Sequence, residues 1–429
     1  MRIRWLLIFW MFTISAISFL DRVNISIAGR FIQQEFHISD LQLGPVFSAF
    51  LVGYALFQAP SGRLADRFGP RLILTLGTVW WGVFTALTAM VSAGMANVLL
   101  VLLAVRFTLG AGEAVLFPAS NRLVANWIPS NERGLANGII FAGVGAGAGI
   151  TPPIVTYIVL HYGWRASFWI SAAIGLAAGV IWYWLARDRP EEHPWITPQE
   201  TALIERGLPE PPSALEIGQP LPWGRIFGNK DVLAIAFSYF TYGYAAWIFF
   251  AWFFIYLSKV RGLDLKSSSY YSTLPFIAMA VGSTVGGRIS DILTRRYGNR
   301  IGRCGVAVAG IALAAVFIAS GTQVESARLA SIVLAGGAGA LYLSQSSFWS
   351  VTADMAGASA GSVSGVMNMG GQIGGIVTAS LTPLIAHQFS WTASFLVAAA
   401  LCAAGSLAWL VVDPEVKLDR YLMPKGVKP

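Results

Sequence analysis

Long apolar runs separated by shorter polar segments dominate the hydrophobic pattern of this chain. A run of about 20 apolar residues is long enough to cross the hydrocarbon core of a bilayer as a helix. The pattern therefore predicts an all-α membrane protein with twelve transmembrane helices. We expect these spans at 5–28, 43–62, 72–93, 98–121, 134–158, 164–187, 231–257, 267–287, 304–321, 327–348, 364–386 and 391–412.

One polar segment divides the series of spans into two groups of six. Residues 188–229 are rich in charge and proline, with the run Arg-Pro-Glu-Glu-His-Pro near their start. We predict a cytoplasmic central loop there, between an N-terminal six-helix half, 1–187, and a C-terminal six-helix half, 230–412. Residues 413–429 form a predicted cytoplasmic tail.

Two short motifs occur once in each half at nearly the same offset. Gly62-Arg-Leu-Ala-Asp66 follows the second span and Gly287-Arg-Ile-Ser-Asp291 follows the eighth. Trp164-Arg-Ala-Ser-Phe168 opens the sixth span and Trp391-Thr-Ala-Ser-Phe395 opens the twelfth. Self-similarity at a fixed offset indicates an internal repeat. In secondary transporters such repeats surround a binding site near the bilayer midplane.

Composition and charge agree with a membrane protein. The chain is 55% hydrophobic and 12% charged, whereas soluble domains carry about a quarter charged residues. Most Lys and Arg residues fall in the termini, the central loop and the loops on the same side. The positive-inside rule therefore predicts cytoplasmic termini, in a cell inner membrane. This distribution explains the net charge of +8 without a nucleic-acid partner. The loop with Lys259, Arg261 and Lys266 departs from the trend.

The sequence does not point to a cofactor or an enzyme. Cys304 and Cys402 lie in separate apolar runs, and we interpret both as packing residues without a disulfide or metal framework. None of the four histidines has neighbours typical of a metal site. There is no Gly-rich phosphate loop, nucleophile–base set or metal cluster. We expect no metal, no cofactor and no enzymatic activity.

Four charged side chains lie well inside predicted spans, away from the span ends, where an unpaired charge is costly. Asp21 and Arg22 are adjacent in the first span, and Arg106 and Glu113 share the fourth. Such residues usually face a protein-lined cavity and mark a substrate or proton path. The alternatives are that Asp21 and Arg22 snorkel to the interface, or that Glu113 and Arg106 form a static pair that joins helices.

These residue types suggest distinct roles. Burial disfavours the charged form of a carboxylate, so Asp21 and Glu113 are candidates for proton coupling. Arg106 precedes Glu113 by nearly two helical turns, on the same face, and is expected to tune or pair with it. Arg22 is the candidate receptor for a substrate carboxylate, because a guanidinium binds one through two parallel hydrogen bonds. Adjacent helical residues point about 100° apart, so Asp21 is expected to face another helix, such as span four.

Proline and glycine modify this picture in the fourth and fifth spans. Pro118 has no N–H, so it is predicted to free the carbonyl of Ala114 beside Glu113. The glycine-rich segment Gly143-Val-Gly-Ala-Gly-Ala-Gly149 is predicted to allow close helix packing.

Several motifs resemble a known transporter family. Gly62-Arg-Leu-Ala-Asp-Arg-Phe-Gly-Pro-Arg71 resembles the loop signature of the major facilitator superfamily. Four further motifs resemble those of the anion:cation symporter family within this superfamily. They are Phe19-Leu-Asp-Arg-Val-Asn24, Arg106-Phe-Thr-Leu-Gly-Ala-Gly-Glu-Ala-Val-Leu-Phe-Pro-Ala119, Trp127-Ile-Pro-Ser-Asn-Glu-Arg133 and Tyr162-Gly-Trp-Arg-Ala-Ser-Phe168. That family includes bacterial hexonate, hexuronate and glucarate carriers, and the animal sialin and vesicular glutamate carriers. The resemblance covers all twelve spans and implies the major facilitator fold.

The resemblance also implies roles for particular residues. In the family the acidic pair serves proton coupling and the first-helix arginine binds the substrate carboxylate. Tyr54 and Asn368 match positions that bind substrate in the sugar-acid carriers. Sugar-acid carriers tend to have an amide in span five, where this chain has glycines, which leaves room for a larger or more aromatic acid.

Further polar residues are candidates from their position in the chain. Gln345, Ser346 and Ser347, at the end of span ten, are expected to line the cavity, because sugar acids need amide and hydroxyl partners. The alternative for each is an interhelical hydrogen bond. We interpret the residues at the cytoplasmic edges of both repeats as a gate that bonds to helix ends, the alternative being a solvated turn. These gate candidates are Asp66, Arg67, Asp291 and Arg295.

Together these features predict a proton-coupled importer of an organic carboxylate, with a hexonate, hexuronate or aldarate as the favoured substrate. Its partners are expected to be a small organic anion, protons and the lipid bilayer, and the protein is expected to be a monomer. Alternatives are a carrier of an aromatic or other organic acid, a drug/proton antiporter of the same fold, and a nutrient sensor. The antiporter's Gly-Pro-x-x-Gly-Gly signature is not found in span five, where Ala148 follows Gly147.

Overall fold

A computed structural model describes residues 2–38, 40–208, 221–253 and 256–418 of the chain. Residues 209–220 of the central loop and 419–429 of the tail lie outside the described residues, as do the side chains of Lys259 and Lys266. The helices are α1 Ile3–Phe36, α2 Asp40–Phe68, α3 Pro70–Met90, α4 Val98–Glu113, α5 Leu116–Trp127, α6 Arg133–Tyr162, α7 Trp164–Leu185, α8 Pro198–Gly207, α9 Trp223–Phe227, α10 Lys230–Ala251, α11 Leu265–Tyr297, α12 Val306–Gln323, α13 Ala327–Leu343, α14 Gln345–Ala356, α15 Ala360–Gln388 and α16 Trp391–Ala408.

These helices give the twelve predicted passes. Ten stretches of described residues are long and apolar enough to cross a membrane. One of them, Ala327–Gln388, has 62 residues and contains two passes, α13 with α14 and then α15. The remaining pass is α2, whose apolar run is diluted by buried polar residues such as Gln58 and Ser61. The predicted all-α membrane fold is confirmed.

Two passes are interrupted at equivalent places in the two halves. The fourth pass breaks between α4 and α5, directly after Glu113. Pro118 cannot donate a hydrogen bond to the Ala114 carbonyl, which favours a break there. The tenth pass breaks at Ser344, between α13 and α14. Gln345 and Ser347 therefore begin a second helix in mid-pass, instead of ending the span as the sequence suggested.

Close helix contacts define each half. In the N-terminal half α1 packs against α6, α2 against α4, and α3 against α7, while in the C-terminal half α10 packs against α15 and α11 against α13. A Cβ at Gly143 or Gly147 would overlap the backbone of α1. The close packing predicted for the glycine-rich fifth span is thus confirmed.

The two halves are joined mainly at one end of the bundle, which we call the closed face. It is the end where α2 and α11 terminate and where α6 and α15 begin. There α2 packs on α15 and α6 packs on α11, and these two contacts are equivalent under the internal repeat. In the described part of the chain, all cross-half hydrogen bonds and ion pairs lie at the cavity described below or between it and the closed face.

Two aspartates cap helices of the opposite half at the closed face. The Asp66 carboxylate accepts hydrogen bonds from the backbone N–H groups of Gly361 at 2.9 Å and Ser362 at 2.6 Å. The Asp291 carboxylate accepts them from Gly134 at 2.9 Å and Leu135 at 2.7 Å. A carboxylate at a helix N-terminus satisfies free N–H groups and complements the helix dipole. Each half therefore caps a helix of the other.

Both capping aspartates lie in the last turns of helices, because α2 continues to Phe68 and α11 to Tyr297. The alternative of a solvated turn therefore does not describe them. The other two predicted gate residues are placed differently. Arg67 and Arg295 are exposed, and within the described residues neither donates a hydrogen bond to the other half.

Other cations, which sequence reasoning missed, form the closed-face network. Arg133 Nη1 lies 2.5 Å from Asp354 Oδ1, across the halves. Arg303 Nη1 lies 2.7 Å from Asp291 Oδ1, and its Nη2 donates to the Ser130 carbonyl at 2.5 Å. Both guanidinium groups are buried. Removing one partner of a buried pair leaves an uncompensated charge, so this network favours a closed arrangement.

Both ends of the described chain lie at the closed face. Glu200 of α8 accepts hydrogen bonds from the backbone N–H groups of Ile3 at 3.0 Å and Arg4 at 3.2 Å, and so caps α1. Lys417 donates to the Asp354 carbonyl at 2.6 Å. Within the loop that broke the charge trend, Arg261 donates to the Val324 carbonyl.

Candidate functional site

A cavity lies between the halves, on the inner side of the closed-face contacts. Its N-terminal wall contains Phe19 and Arg22 of α1, with side chains of α5 and α6. Its C-terminal wall comes from α10, α13, α14 and α15. We call the polar members of that side the far wall: Tyr239, Tyr242, Tyr342, Gln345, Asn368 and Gln372.

Aromatic rings hold Arg22 in the wall of the cavity. Its guanidinium carbon lies 4.2 Å from the ring centre of Tyr54 and 4.7 Å from that of Phe19. Contacts of this kind attract a cation to the ring face. Only 8% of the Arg22 side chain is exposed, and Nη2 is buried without a hydrogen-bond partner. The cavity therefore contains a fixed cation with an unused donor.

Arg22 is paired with Glu113. Its Nε lies 2.7 Å from Glu113 Oε1, and the Glu113 side chain is fully buried. The second oxygen, Oε2, has no hydrogen-bond partner. The partner suggested by the sequence, Arg106, donates no hydrogen bond to Glu113 within the described residues. Its guanidinium instead lies over the Phe50 ring at 4.9 Å.

Asp21 points away from the cavity into the interior of the N-terminal half. Its Oδ2 accepts a hydrogen bond from Thr85 of α3 at 3.4 Å, and its Oδ1 is buried without a partner. The contact is with the third span, where the sequence suggested the fourth. One turn further along α1, Asn24 bonds Ser167 at 2.7 Å and Ser171 at 3.2 Å, both on α7. Asp21 thus belongs to a buried polar cluster behind the cavity.

The other predicted binding residues are placed unevenly. Asn368 and Gln345 line the cavity. Asn368 also donates to Gln58 of the other half at 2.8 Å. Tyr54 touches Arg22 and is fully buried, and Ser347 is buried in α14. Neither Tyr54 nor Ser347 is among the lining residues, so their binding roles stay predictions.

Sequence reasoning missed several lining residues. Gln372 lies one helical turn after Asn368 on α15, and Tyr239 and Tyr242 face the cavity from α10. The two tyrosines belong to an aromatic run in span seven, Tyr239-Phe-Thr-Tyr-Gly-Tyr-Ala-Ala-Trp247, which is the signal in the sequence for this wall. Position alone cannot distinguish a lining glutamine from one that packs between helices. The result is a cavity that is aromatic on most sides and polar along the far wall.

Two helical halves around a cavity with a buried cation in its wall are the arrangement of a membrane transport protein. The sequence model of the Major Facilitator Superfamily matches residues 11–379. The chain is 37% identical to the probable sulfoacetate transporter SauU of Cupriavidus necator, over 94% of this chain and 92% of that protein. It is 32% identical to the hexuronate transporter of Bacillus subtilis, with the same coverage.

The chain therefore belongs to the major facilitator superfamily, as its motifs predicted, and it is a transporter and not an enzyme. The fold agrees with this assignment. The proton:xylose symporter XylE of the same superfamily matches with a TM-score of 0.71 and 15% identity, over 96% of this chain and 97% of that one.

Proposed function

We propose that this protein is a secondary active transporter that imports an organic carboxylate together with protons, with a sugar acid as the favoured substrate. The observation that carries the proposal is the buried pair of Arg22 and Glu113 in the cavity wall. A guanidinium, which can bind a carboxylate, and a carboxyl group, which can take up a proton, are in direct contact there, and this supports the proposal.

The pair suggests how anion and proton binding are linked. While Glu113 is ionised it neutralises Arg22, so a substrate carboxylate has to displace it. Displacement leaves Glu113 as a buried charge without a partner, which is costly. Taking up a proton removes that cost and frees Arg22 for the substrate. Proton binding and anion binding therefore favour one another at this pair, which is the linkage that symport needs.

Asp21 and Arg106 complete the proposed proton path. Asp21 lies in the polar cluster behind the cavity with one unpartnered oxygen, so it is the second candidate proton acceptor. Arg106 has no hydrogen bond to either carboxylate in the described part of the chain, although it is buried close to both. We assign it the role of a fixed charge that influences both acids.

A sugar acid fits the remaining features of the cavity. The far wall offers amides and hydroxyls for a polyhydroxylated chain, and aromatic rings can pack against the faces of a sugar. Among the relatives, the protein from Bacillus subtilis is named a hexuronate transporter. Hexonates, hexuronates and aldarates are the classes we propose.

We further propose that the closed face is cytoplasmic, in a bacterial inner membrane. The distribution of Lys and Arg along the chain supports this orientation, and both described chain ends lie at that face. Asp66 and Asp291 would then close the cytoplasmic gate while substrate enters from outside. We propose that Arg67 and Arg295 act in another conformation of that gate, and that the protein works as a monomer of two six-helix halves.

Uptake by proteoliposomes with an imposed inward-acid pH gradient tests the proposal. Labelled galactonate and glucuronate would be supplied to wild type, Arg22→Lys and Glu113→Gln. We expect gradient-driven uptake by wild type and strongly reduced uptake by Arg22→Lys, because lysine lacks the planar fork. Glu113→Gln should still bind substrate but lose its response to the gradient. Uptake that ignores pH in wild type would contradict the symport proposal, and efflux driven by the same gradient would favour an antiporter.

A further inference from the structure

We propose that the cavity selects organic monoanions, with the anionic group at Arg22 and a neutral, hydroxyl-bearing end against Gln345 and Gln372. The inference rests on the proposed function and narrows it. Of the three sugar-acid classes it retains hexonates and hexuronates, and it excludes aldarates, which carry a carboxylate at each end.

The first argument is the charge inventory of the cavity. Of the lining residues in the described part of the chain, Arg22 alone is charged. Arg106 is not among them, since it lies behind the Arg22–Glu113 pair and over the Phe50 ring. One fixed cation can neutralise one anionic group. A second anionic group on the ligand would have to lie against neutral side chains.

The second argument is the chemistry of the far wall. Gln345 is 2% exposed, and its amide nitrogen donates to the Tyr239 hydroxyl at 2.9 Å. Its carbonyl oxygen, Oε1, is buried without a hydrogen-bond partner, and so is Oε1 of Gln372. Both residues line the cavity. The far wall therefore offers two unused acceptors.

These acceptors discriminate between the ends of related ligands. A hydroxyl group can donate a hydrogen bond to either amide oxygen and satisfy it. A carboxylate is only an acceptor, so it cannot satisfy either amide oxygen. It would also be a desolvated charge without a counterion, which is the more costly part. The aromatic residues around these amides offer no compensating cation.

Matched pairs of acids isolate this effect. Galactonate and galactarate share a carbon skeleton and differ at one end, where the first has a hydroxymethyl group and the second a carboxylate. Glucuronate with glucarate, and 3-hydroxybenzoate with isophthalate, make equivalent pairs on other skeletons. Each unlabelled acid would compete with labelled galactonate or glucuronate for uptake into proteoliposomes under an inward-acid pH gradient. We expect the monoanion of each pair to inhibit labelled uptake at a concentration at least about tenfold lower than its dianion needs.

A charge placed on the far wall should change this preference. In Gln372→Lys a second cation faces the cavity. We therefore expect the inhibitory potency of the dianion, relative to that of its monoanion, to rise at least about tenfold. Gln388→Lys is the matched control, because Gln388 is exposed at the C-terminal end of the same helix, α15. In this control the ratio of the inhibitory concentrations of dianion and monoanion should stay at its wild-type value.

The outcomes separate this inference from the proposed function. Equal or stronger inhibition by the dianion in wild type would overturn the inference and leave proton-coupled anion import intact. An unchanged ratio in a folded Gln372→Lys protein would also overturn it. Failure of every acid in the three pairs to compete would contradict the proposed function itself, and the inference with it.

Discussion

At the scale of single residues, the geometry around Arg22 suggests a role for Tyr54 besides the substrate binding predicted from its position. The Tyr54 ring packs on the guanidinium, while its hydroxyl is buried without a hydrogen-bond partner and does not line the cavity. The ring can therefore hold Arg22 in place for the substrate, whereas a direct contact between the hydroxyl and the substrate would need a rearrangement.

Two substitutions of Tyr54 distinguish the ring from the hydroxyl. Tyr54→Phe keeps the ring, and we expect a KM for the transported anion close to that of wild type. Tyr54→Leu removes a buried cation–π contact worth about 0.5–2 kcal/mol, so we expect KM to rise by roughly 2- to 30-fold. Initial uptake rates over a range of substrate concentrations measure both values. Equal losses in the two variants would show that the hydroxyl binds substrate, as its sequence position predicted.

The pair of Arg22 and Glu113 shows which features of single residues can be predicted from the sequence. Arg22 and Glu113 are both recognisable from sequence, because charged residues inside apolar spans are rare and costly. Their contact with each other is not, since it joins α1 to the break in the fourth pass, and helical periodicity describes only neighbours within one helix. That is why the pattern suggested Arg106 as the partner of Glu113.

At the scale of helices, α6 and α11 pack closely across the halves at the closed face. A Cβ added at Gly138 would lie 2.5 Å from the carbonyl oxygen of Ser283 on α11, in the other half. Ser283 also donates a hydrogen bond to the Gly138 carbonyl at 2.5 Å. Near the middle of α6, a Cβ at Gly149 would meet no atom within 4 Å. One helix therefore contains both a test position and its control.

Gly138→Val is expected to hold the closed face apart. Overpacking costs about 1–3 kcal/mol, which corresponds to a shift of roughly 5- to 150-fold in a two-state equilibrium. The variant Thr352→Cys, made in a Cys304→Ser, Cys402→Ser background, reports on this face, since Thr352 is fully buried there. We expect a thiol reagent supplied from that side to label it faster when Gly138→Val is added, and at the parent rate with Gly149→Val. Equal labelling of all three proteins would contradict this role for the contact.

The helices also show what hydrophobic patterning detects and what it misses. Apolar runs located the twelve passes, because a bilayer requires long apolar segments. They stopped short at the closed face, where α2, α11 and α14 continue with polar and charged residues. Those extensions are stabilised by contacts with the other half and not by lipid, so no apolar signal marks them. Arg133, Arg303 and Asp354 were missed for the same reason.

At the scale of the whole molecule, the internal repeat explains why the closed face has matching halves. The equivalent aspartates Asp66 and Asp291 cap the equivalent helices α15 and α6, each from the opposite half. The repeat was visible in the sequence as two motifs at nearly one offset. The sequence also suggested that both aspartates bond to helix ends. It did not show that each capped helix belongs to the opposite half, because the capped N–H groups belong to the backbone and have no sequence signature.

Because the described cross-half bonds lie at the cavity or on its closed-face side, a covalent link at that face should stop transport but not binding. Asn121 of α5 donates to Thr352 of α14 at 3.0 Å across the halves, so cysteines at both positions can be joined by a short bifunctional thiol reagent. In the background without Cys304 and Cys402, we expect cross-linking to reduce uptake at least about tenfold, with recovery after reduction. Equilibrium binding of the labelled anion should persist, since the cross-link adds no bond between the halves on the opposite side of the cavity. Each single-cysteine variant treated with the same reagent is the control. Full uptake by a protein whose cross-link is verified by mass would show that the halves need not separate at this face, and it would rule out alternating access through the closed face.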